Sequence, residues 1–333
     1  MRKIVQVVLL AAAVSVNGAQ KNVKLLTGLT DLQVQRVMNM MRGSLGVHCD
    51  FCHVVTEEKG WDFANDAKPE KNRARDMIRM TTDINRGAFG GNATVSCNTC
   101  HRGAIQPMTL VALPQTPPKF PTTRAVIPPL PSIESILAKY AATPSSTRVM
   151  KGQRTNWEGK SVPWELVAKG GKRYVRVVTP DGPVEQVDDG STAWVRDAKG
   201  VLAMNANQRE AFRANLAGLE FPVAIPADAA VVNEEKINDR DAWVVKASQH
   251  VFFFDASDGA LLRNVVLTPT AIGTLPLQVD YDDYRAAGKT KFPFHIRVAM
   301  VDPWTTFTVQ LESIELDAPV DDAIFEIPKE AAK

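Results

Sequence analysis

The amino-acid sequence predicts a multidomain α + β protein, in which a small helical domain precedes a larger β-rich one. Before residue 106, apolar side chains recur at intervals of three and four, which is typical of amphipathic helices. From about Ser145, short alternating segments separated by turns indicate antiparallel strands. Nine prolines between Pro107 and Pro144 separate the two patterns and predict a stiff, extended spacer. We therefore expect domains over residues 22–106 and 149–330, joined by a Pro-rich linker with a short helix over 107–148.

Capping residues predict where the helices begin and end. Thr30 is suited to cap the first helix, which ends near residues 43–46, and Pro69 begins the second, which ends at 85–87. Ser132 is suited to cap the short linker helix over residues 133–140. The apolar stripes of the first two helices consist of Val34, Val37, Met38, Met41 and Leu45, then Ala74, Met77, Ile78, Thr81 and Ile84.

The β-rich region is predicted as a strongly curved antiparallel sheet with one helix, about residues 206–216, against its concave side. Glycine-containing turns at 170–171, 181–182, 189–190 and 257–259 separate the strands. The expected strands are 162–168, 172–179, 192–196, 242–247, 251–254, 261–267, 277–284, 292–300 and 305–316.

All four cysteines fall in two copies of Cys-x-x-Cys-His, at residues 49–53 and 97–101. This signature is typical of covalent c-type haem attachment. Two thiols one helical turn apart can bond the two vinyl groups of a haem, while the adjoining imidazole binds the iron from the same face. We therefore predict two covalently bound haem c groups. Their tethers and proximal ligands are Cys49, Cys52 and His53 for haem 1, and Cys97, Cys100 and His101 for haem 2.

The main alternative for the same cysteines is a single structural zinc ion held by four thiolates, or a pair of disulfides. Only five histidines occur in 333 residues, so a histidine after both cysteine pairs favours haem. Arg102 follows the second motif and is a candidate contact for a haem propionate, because guanidinium matches carboxylate geometry. His48 precedes the first motif and is assigned a surface role.

The N-terminus predicts export from the cytoplasm. Arg2 and Lys3 precede an apolar run over residues 4–16 and then small residues, so residues 1–19 resemble a cleaved signal peptide. We therefore expect a periplasmic protein that is soluble after cleavage. The chain has 39 Lys and Arg against 37 Asp and Glu, and loss of Arg2 and Lys3 leaves 37 against 37. This balance does not favour nucleic acid as a partner.

A methionine thioether is a suitable sixth ligand for low-spin haem iron and raises its reduction potential relative to histidine. Met38 and Met77 lie on the apolar stripes of the two predicted helices. Met41 shares the first stripe and Met80 lies one turn after Met77, so periodicity alone does not select between them. Methionines on such faces are also common core residues.

Several features follow one another along the N-terminal region in this order: residues 29–31, 37–38, 49–53, Trp61, 65–66, 75–77, Asn85 and 97–103. In these features, residues 25–103 resemble the cytochrome c subunit of photosynthetic reaction centres. The resemblance implies electron transfer, and it implies that Met38 and Met77 are the axial ligands of haem 1 and haem 2. The family's photosynthetic members are four-haem, lipid-anchored subunits, whereas this chain has two motifs. We therefore expect a role outside photosynthesis.

Four short segments of the β-rich region lie on successive predicted hairpins, at residues 253–256, 258–262, 280–284 and 292–294. In these segments the region resembles the periplasmic lipoprotein-carrier and lipoprotein-sorting superfamily, whose fold is a half-barrel that holds an acyl chain. The resemblance implies an antiparallel β-rich half-barrel with a helix. It leaves open whether this domain binds an apolar ligand or docks a partner.

Together these features predict a periplasmic di-haem c-type cytochrome that carries single electrons and is not an enzyme. Its expected partners are redox proteins, with a membrane-associated electron-transfer complex as one setting. Two alternatives stay open. The first is a peroxidase-like haem enzyme with an open iron position, and the second is a lipid- or lipoprotein-binding protein with the cytochrome as a sensor.

Overall fold

The computed structural model describes residues 19–56, 58, 60–107, 129–140, 145–288 and 290–327. The expected signal peptide, apart from its last residue, and most of the expected stiff spacer lie outside the described residues. Among the described residues, no helix has the length and apolarity needed to span a bilayer.

The N-terminal unit is built around two helices that begin and end where the sequence predicts. Helix α1 spans Asp31–Leu45 and begins with a capping box, in which Thr30 and Gln33 each bind the other's backbone N–H. It ends at Gly46, which adopts the left-handed conformation with φ 66°. Helix α2 spans Pro69–Ala88, with proline in the first turn, where no hydrogen bond is lost. Between them lie a 3₁₀ turn at Cys49–Phe51 and a small hairpin, β1 (Val54–Thr56) with β2 (Gly60–Asp62).

The second Cys-x-x-Cys-His motif forms the short helix α3, Cys97–His101, which packs against the end of α1. The backbone N–H of Gly103 donates to the carbonyl of Ser44 at 2.8 Å. A Cβ at Gly46 would lie 2.2 Å from the carbonyl oxygen of Gly103, so only glycine allows this approach. The end of α1 therefore contacts both motifs, since the first motif follows it directly in the chain.

The rest of the described chain forms one antiparallel sheet of thirteen strands that does not close into a barrel. Two meanders, β3 to β8 and β9 to β15, meet where β15 pairs with β3, so β8 and β9 form the two edges. The strands are β3 Thr147–Asn156, β4 Ser161–Lys169, β5 Lys172–Thr179, β6 Gly182–Asp188, β7 Ala193–Asp197, β8 Gly200–Ala203, β9 Ala230–Ile237, β10 Arg240–Ala247, β11 His250–Asp255, β12 Leu261–Thr270, β13 Gly273–Ala287, β14 Thr290–Met300 and β15 Phe307–Leu316.

Two helices fill one face of this sheet. Helix α4 (Ile133–Lys139) is capped by Ser132 as predicted, and helix α5 (Ala206–Ala217) joins the two edge strands. Both contribute to the main apolar core, through Ile136 from α4 and through Phe212 and Leu216 from α5. The linker helix is thus part of the core of the β-rich domain, because its apolar stripe covers the sheet. Strand β3 also begins at Thr147, inside the stretch expected to be linker.

Asp188 at the end of β6 fastens α5 to the sheet. Its carboxylate is fully buried and accepts hydrogen bonds from Arg209 and Arg213 of α5, at 2.8 Å and 2.5 Å. Burial by itself would raise the pKa of Asp188, but these two guanidinium groups lower it to about 2. The carboxylate of Asp188 is therefore ionised, and its ion pairs with α5 persist, at pH values above about 2.

The helical unit packs directly on the sheet. The turn between β12 and β13 inserts Ile272 into a core cluster that includes Val37 and Met40 of α1. At Gly43 a Cβ would lie 2.1 Å from the carbonyl oxygen of Val301, in the loop after β14, so the two backbones are in close contact. The β-rich domain therefore completes the core of the helical unit rather than being attached only through the linker.

Candidate cofactor sites

The first motif opens onto a cavity between α1, α2 and the segment that precedes α1. The cavity has a volume of about 340 Å³, within the range of ligand sites in proteins. Cys49, Cys52 and His53 line it from the motif, and Met38 lines it from α1. All four residues predicted for haem 1 are thus brought to a single cavity. Met41 lines the same cavity, so the geometry does not separate the two methionines.

Burial sets the protonation of the donor groups in this cavity. It lowers the pKa of His53, so the ring is neutral at neutral pH and one ring nitrogen has a free lone pair. Burial likewise raises the pKa of Cys49 and Cys52, which keeps these thiols protonated. At the second motif, burial raises the pKa of Cys97 in the same way. All four cysteines lie in the described part of the chain and are free thiols. Neutral thiols and a neutral imidazole are the forms in which these groups would meet a haem.

Basic side chains surround the same cavity. Lys24, Arg42, Lys71 and Arg75 line it, against the single carboxylate of Asp31 among its lining residues. Asp66 and Asp302 pair with these cations from behind, so four positive charges face three carboxylates and a small positive excess is left for the two propionate groups of a haem. The chemistry of the donor set and the charge of the wall are therefore both consistent with haem 1.

Asp66 pairs with three of the basic side chains that line the cavity. It accepts from Arg75 at 2.8 Å and forms ion pairs with Lys24 and Lys71 at 2.9 Å each. Arg75 and Lys24 hold the pKa of Asp66 far below its usual range. Because Lys24 precedes α1 and the other two cations belong to α2, the carboxylate ties two walls of the cavity together.

At the second motif the structure orients the imidazole of His101. Its Nδ1 lies 3.0 Å from the carbonyl oxygen of Ala104. A carbonyl oxygen only accepts, so this hydrogen bond requires the proton on Nδ1 and leaves the lone pair on Nε2. Such a backbone contact is the usual means of fixing the tautomer of a metal-binding histidine. The arrangement fits the predicted role of His101.

Asn85 orders the loop that leads into the second motif. Its side chain donates to the carbonyl of Val95 and accepts from the backbone N–H of the same residue, each at 2.8 Å. Asn85 is buried, and the clamp fixes the chain just before Cys97. Asn85 is one of the positions that carry the resemblance described above, and this bond pair gives it a structural role.

Helix α2 presents an exposed apolar face. Met77, Met80 and Ile84 are 41%, 45% and 39% exposed, although they are three and four residues apart on one side of the helix. Met77 and Ile84 belong to the apolar stripe predicted for this helix, but protein side chains do not bury them as they bury Ile78 of the same stripe. Arg75 and Asn85 are buried instead, because hydrogen bonds satisfy their polar groups. An apolar face left in water is typical of a binding surface.

The other methionine, arginine and histidine near the two motifs have different surroundings. Met40, absent from the predicted stripe, is 2% exposed and belongs to the core with Ile272. Arg102 is exposed, with φ 49°, at the end of α3, and its propionate contact stays a prediction. His48 packs on Trp304, with ring centroids 4.0 Å apart. Among the described residues, no three His, Cys, Asp or Glu side chains are grouped to hold a metal ion, as a zinc site would need.

Comparisons with known proteins give these sites a context. Residues 8–145 match the family model of the photosynthetic reaction centre cytochrome C subunit. The N-terminal part of this chain is similar to reaction-centre cytochromes. Cytochrome c-554 of Chloroflexus aurantiacus is 36% identical over 90 residues, which cover 25% of this chain and 20% of that protein. The reaction center cytochrome c subunit of Rubrivivax gelatinosus is 32% identical over 87 residues, covering 22% of this chain and 23% of that protein.

The chain thus spans about a fifth of the length of these curated relatives. Among solved structures, a LolA superfamily protein from Nitrosomonas europaea matches 60% of this chain and 99% of its own, at 12% identity and a TM-score of 0.40. A DUF1329 family protein from Desulfovibrio piger matches 60% and 97%, also at 12% identity and a TM-score of 0.40.

Proposed function

We propose that this chain is a periplasmic di-haem c-type cytochrome that passes single electrons between redox proteins outside photosynthesis. The observation that supports it best is the convergence of Cys49, Cys52, His53 and Met38 on one cavity. A haem bound there would supply an iron that cycles between the ferrous and ferric states.

The chain's own residues would tether the two haems and supply the ligands of their irons. Cys49 and Cys52 would tether haem 1, while His53 and Met38 supply nitrogen and sulfur donors from two different elements. Cys97 and Cys100 would tether haem 2, with His101 and Met77 as its ligands. The hydrogen bond from His101 to Ala104 keeps Nε2 free to bind a metal. The exposed face of α2 that carries Met77 would be covered by haem 2.

If Met38 and Met77 each supply the second axial donor, both irons would lack the open position that a peroxidase-like enzyme needs, which favours a carrier. The lipid-binding alternative finds little support in the sheet, since α4 and α5 pack against its core. The buried aromatic residues of that core are Trp164, Phe212, Phe221, Phe252, Phe254, Tyr281, Phe292, Phe294 and Phe307. We therefore propose that the β-rich domain docks redox partners, including those of a membrane-associated electron-transfer complex.

Absorption spectroscopy of the oxidised holoprotein tests the ligand assignment. Methionine bound to ferric haem gives a weak band near the red end of the spectrum. We expect Met38→Ala to remove this band from one haem and Met77→Ala to remove it from the other. Met41→Leu and Met80→Leu are the matched controls and should keep both bands. A high-spin wild type, or loss of the bands in the controls instead, would contradict the proposal.

A further inference from the structure

We propose that the β-rich domain is part of the redox site of haem 1. In this proposal Asp302 is a positioning residue that holds Arg42 at the haem 1 cavity and offsets part of its positive charge, so that this ion pair helps set the reduction potential of that haem. The inference rests on the proposed function, since it requires haem 1 to be bound.

Arg42 connects the cavity to the loop between β14 and β15. It lies in the last turn of α1 and lines the haem 1 cavity. Its Nη1 is 2.6 Å from Oδ2 of Asp302, whose side chain is 1% exposed. The guanidinium group also lies 4.9 Å from the ring centroid of Trp304. One residue of the cavity wall is therefore held by two residues of the other domain.

Contacts within the loop and to the helical unit hold the loop that carries Asp302. Asp302 accepts from the backbone N–H of Trp304 at 3.2 Å, which caps the 3₁₀ turn Pro303–Thr305. Trp304 also packs against His48, the residue before Cys49. The close contact of Gly43 with Val301 fixes the helix backbone next to Arg42. These contacts hold the helix backbone beside Arg42 against the loop that carries Asp302.

The electrostatic consequence follows from the position of the charges. A positive charge beside the haem favours the ferrous state, since that state carries one positive charge less at the iron. The negative carboxylate of Asp302 partly offsets this effect. It does not line the cavity itself but pairs with Arg42, which does. Removing the carboxylate should raise the reduction potential of haem 1, and removing the guanidinium should lower it. The second motif lies on α3, and Arg42 lines the cavity of the first motif, so haem 2 should respond less than haem 1 to either change.

A redox titration of the holoprotein tests the proposal. For Asp302→Asn we expect a tenfold change in the reduction equilibrium of haem 1 toward the ferrous state, which is about 59 mV for a one-electron couple. Arg42→Gln should move the same haem in the opposite direction. Asp280→Asn is the matched control, because it breaks the ion pair of Asp280 with Arg263, at 2.5 Å, within the sheet. It should shift neither haem.

Several outcomes would overturn the inference. One is a pair of variants that hold both haems with the haem 1 potential unchanged. Another is an equal shift of both haems, which would show a general structural effect. If Asp302→Asn fails to fold, the sign of the shift in Arg42→Gln decides. A wild type that carries haem 2 but not haem 1 refutes the inference, whereas a wild type with no covalent haem refutes the proposed function first.

Discussion

Truncation of Ile272 tests whether the sheet completes the core of the helical unit. This side chain is 2% exposed and packs with Val37, Met40 and Ile78. Ile272→Ala removes three carbon atoms from this cluster, at about 0.8 kcal/mol for each buried group. The cavity left behind adds to this loss, because a packed core relaxes only partly. We therefore expect the free energy of unfolding of the haem-binding unit to fall by about 3 kcal/mol.

Denaturant unfolding of the holoprotein, followed by haem absorbance, measures this change. Ile272→Val is the graded control and should cost about 1 kcal/mol, since it removes a single carbon atom. Ile296→Ala is the positional control: it lies in the sheet core, so its main effect should be on the unfolding of the sheet measured by far-UV circular dichroism. A loss below about 0.5 kcal/mol for Ile272→Ala in the haem transition would refute the reasoning.

Three further predictions follow from local contacts. Asn85→Ala should lower stability by about 2 kcal/mol and reduce the occupancy of haem 2 but not of haem 1, as measured by intact mass. Gly46→Ala should destabilise the holoprotein by more than about 2 kcal/mol in thermal unfolding, because its Cβ would meet the carbonyl of Gly103. Asp188→Asn should cost about 2 kcal/mol at neutral pH. Because the pKa of Asp188 is lowered from 3.8 to about 2, this difference should be full above about pH 4 and vanish as the pH falls through 2.

The sequence predicts the helical elements well because their ends carry strong local signals. Thr30, Pro69 and Ser132 each begin a helix in the structure as expected. Most predicted strands also coincide with observed ones, and the fold class is confirmed. Strands β3, β6, β8 and β9 were not among the predicted segments. Strand β6, for example, buries Glu185 and Gln186, whose polar side chains hide the apolar alternation that predicts a strand.

Which side chains are buried depends on contacts with other elements of the fold, and hydrophobic periodicity along the chain does not predict those contacts. Helix α1 lies between the cavity and the sheet, so Met38 faces the cavity while Met40 is in the core. A single apolar stripe cannot describe a helix with two apolar neighbours. The residues of the two Cys-x-x-Cys-His motifs can be identified from the sequence because each motif is contained in five consecutive residues. The pair of Arg42 and Asp302 is not, since 260 residues separate its partners.

The most direct test of the account is a count of covalent haems in protein matured in the periplasm. Intact mass and the pyridine haemochrome spectrum of the same sample give the number of haems for each polypeptide. We expect two haems, one at each Cys-x-x-Cys-His motif, with no free thiols remaining. Colourless protein, or protein that holds zinc through those thiols, would contradict it.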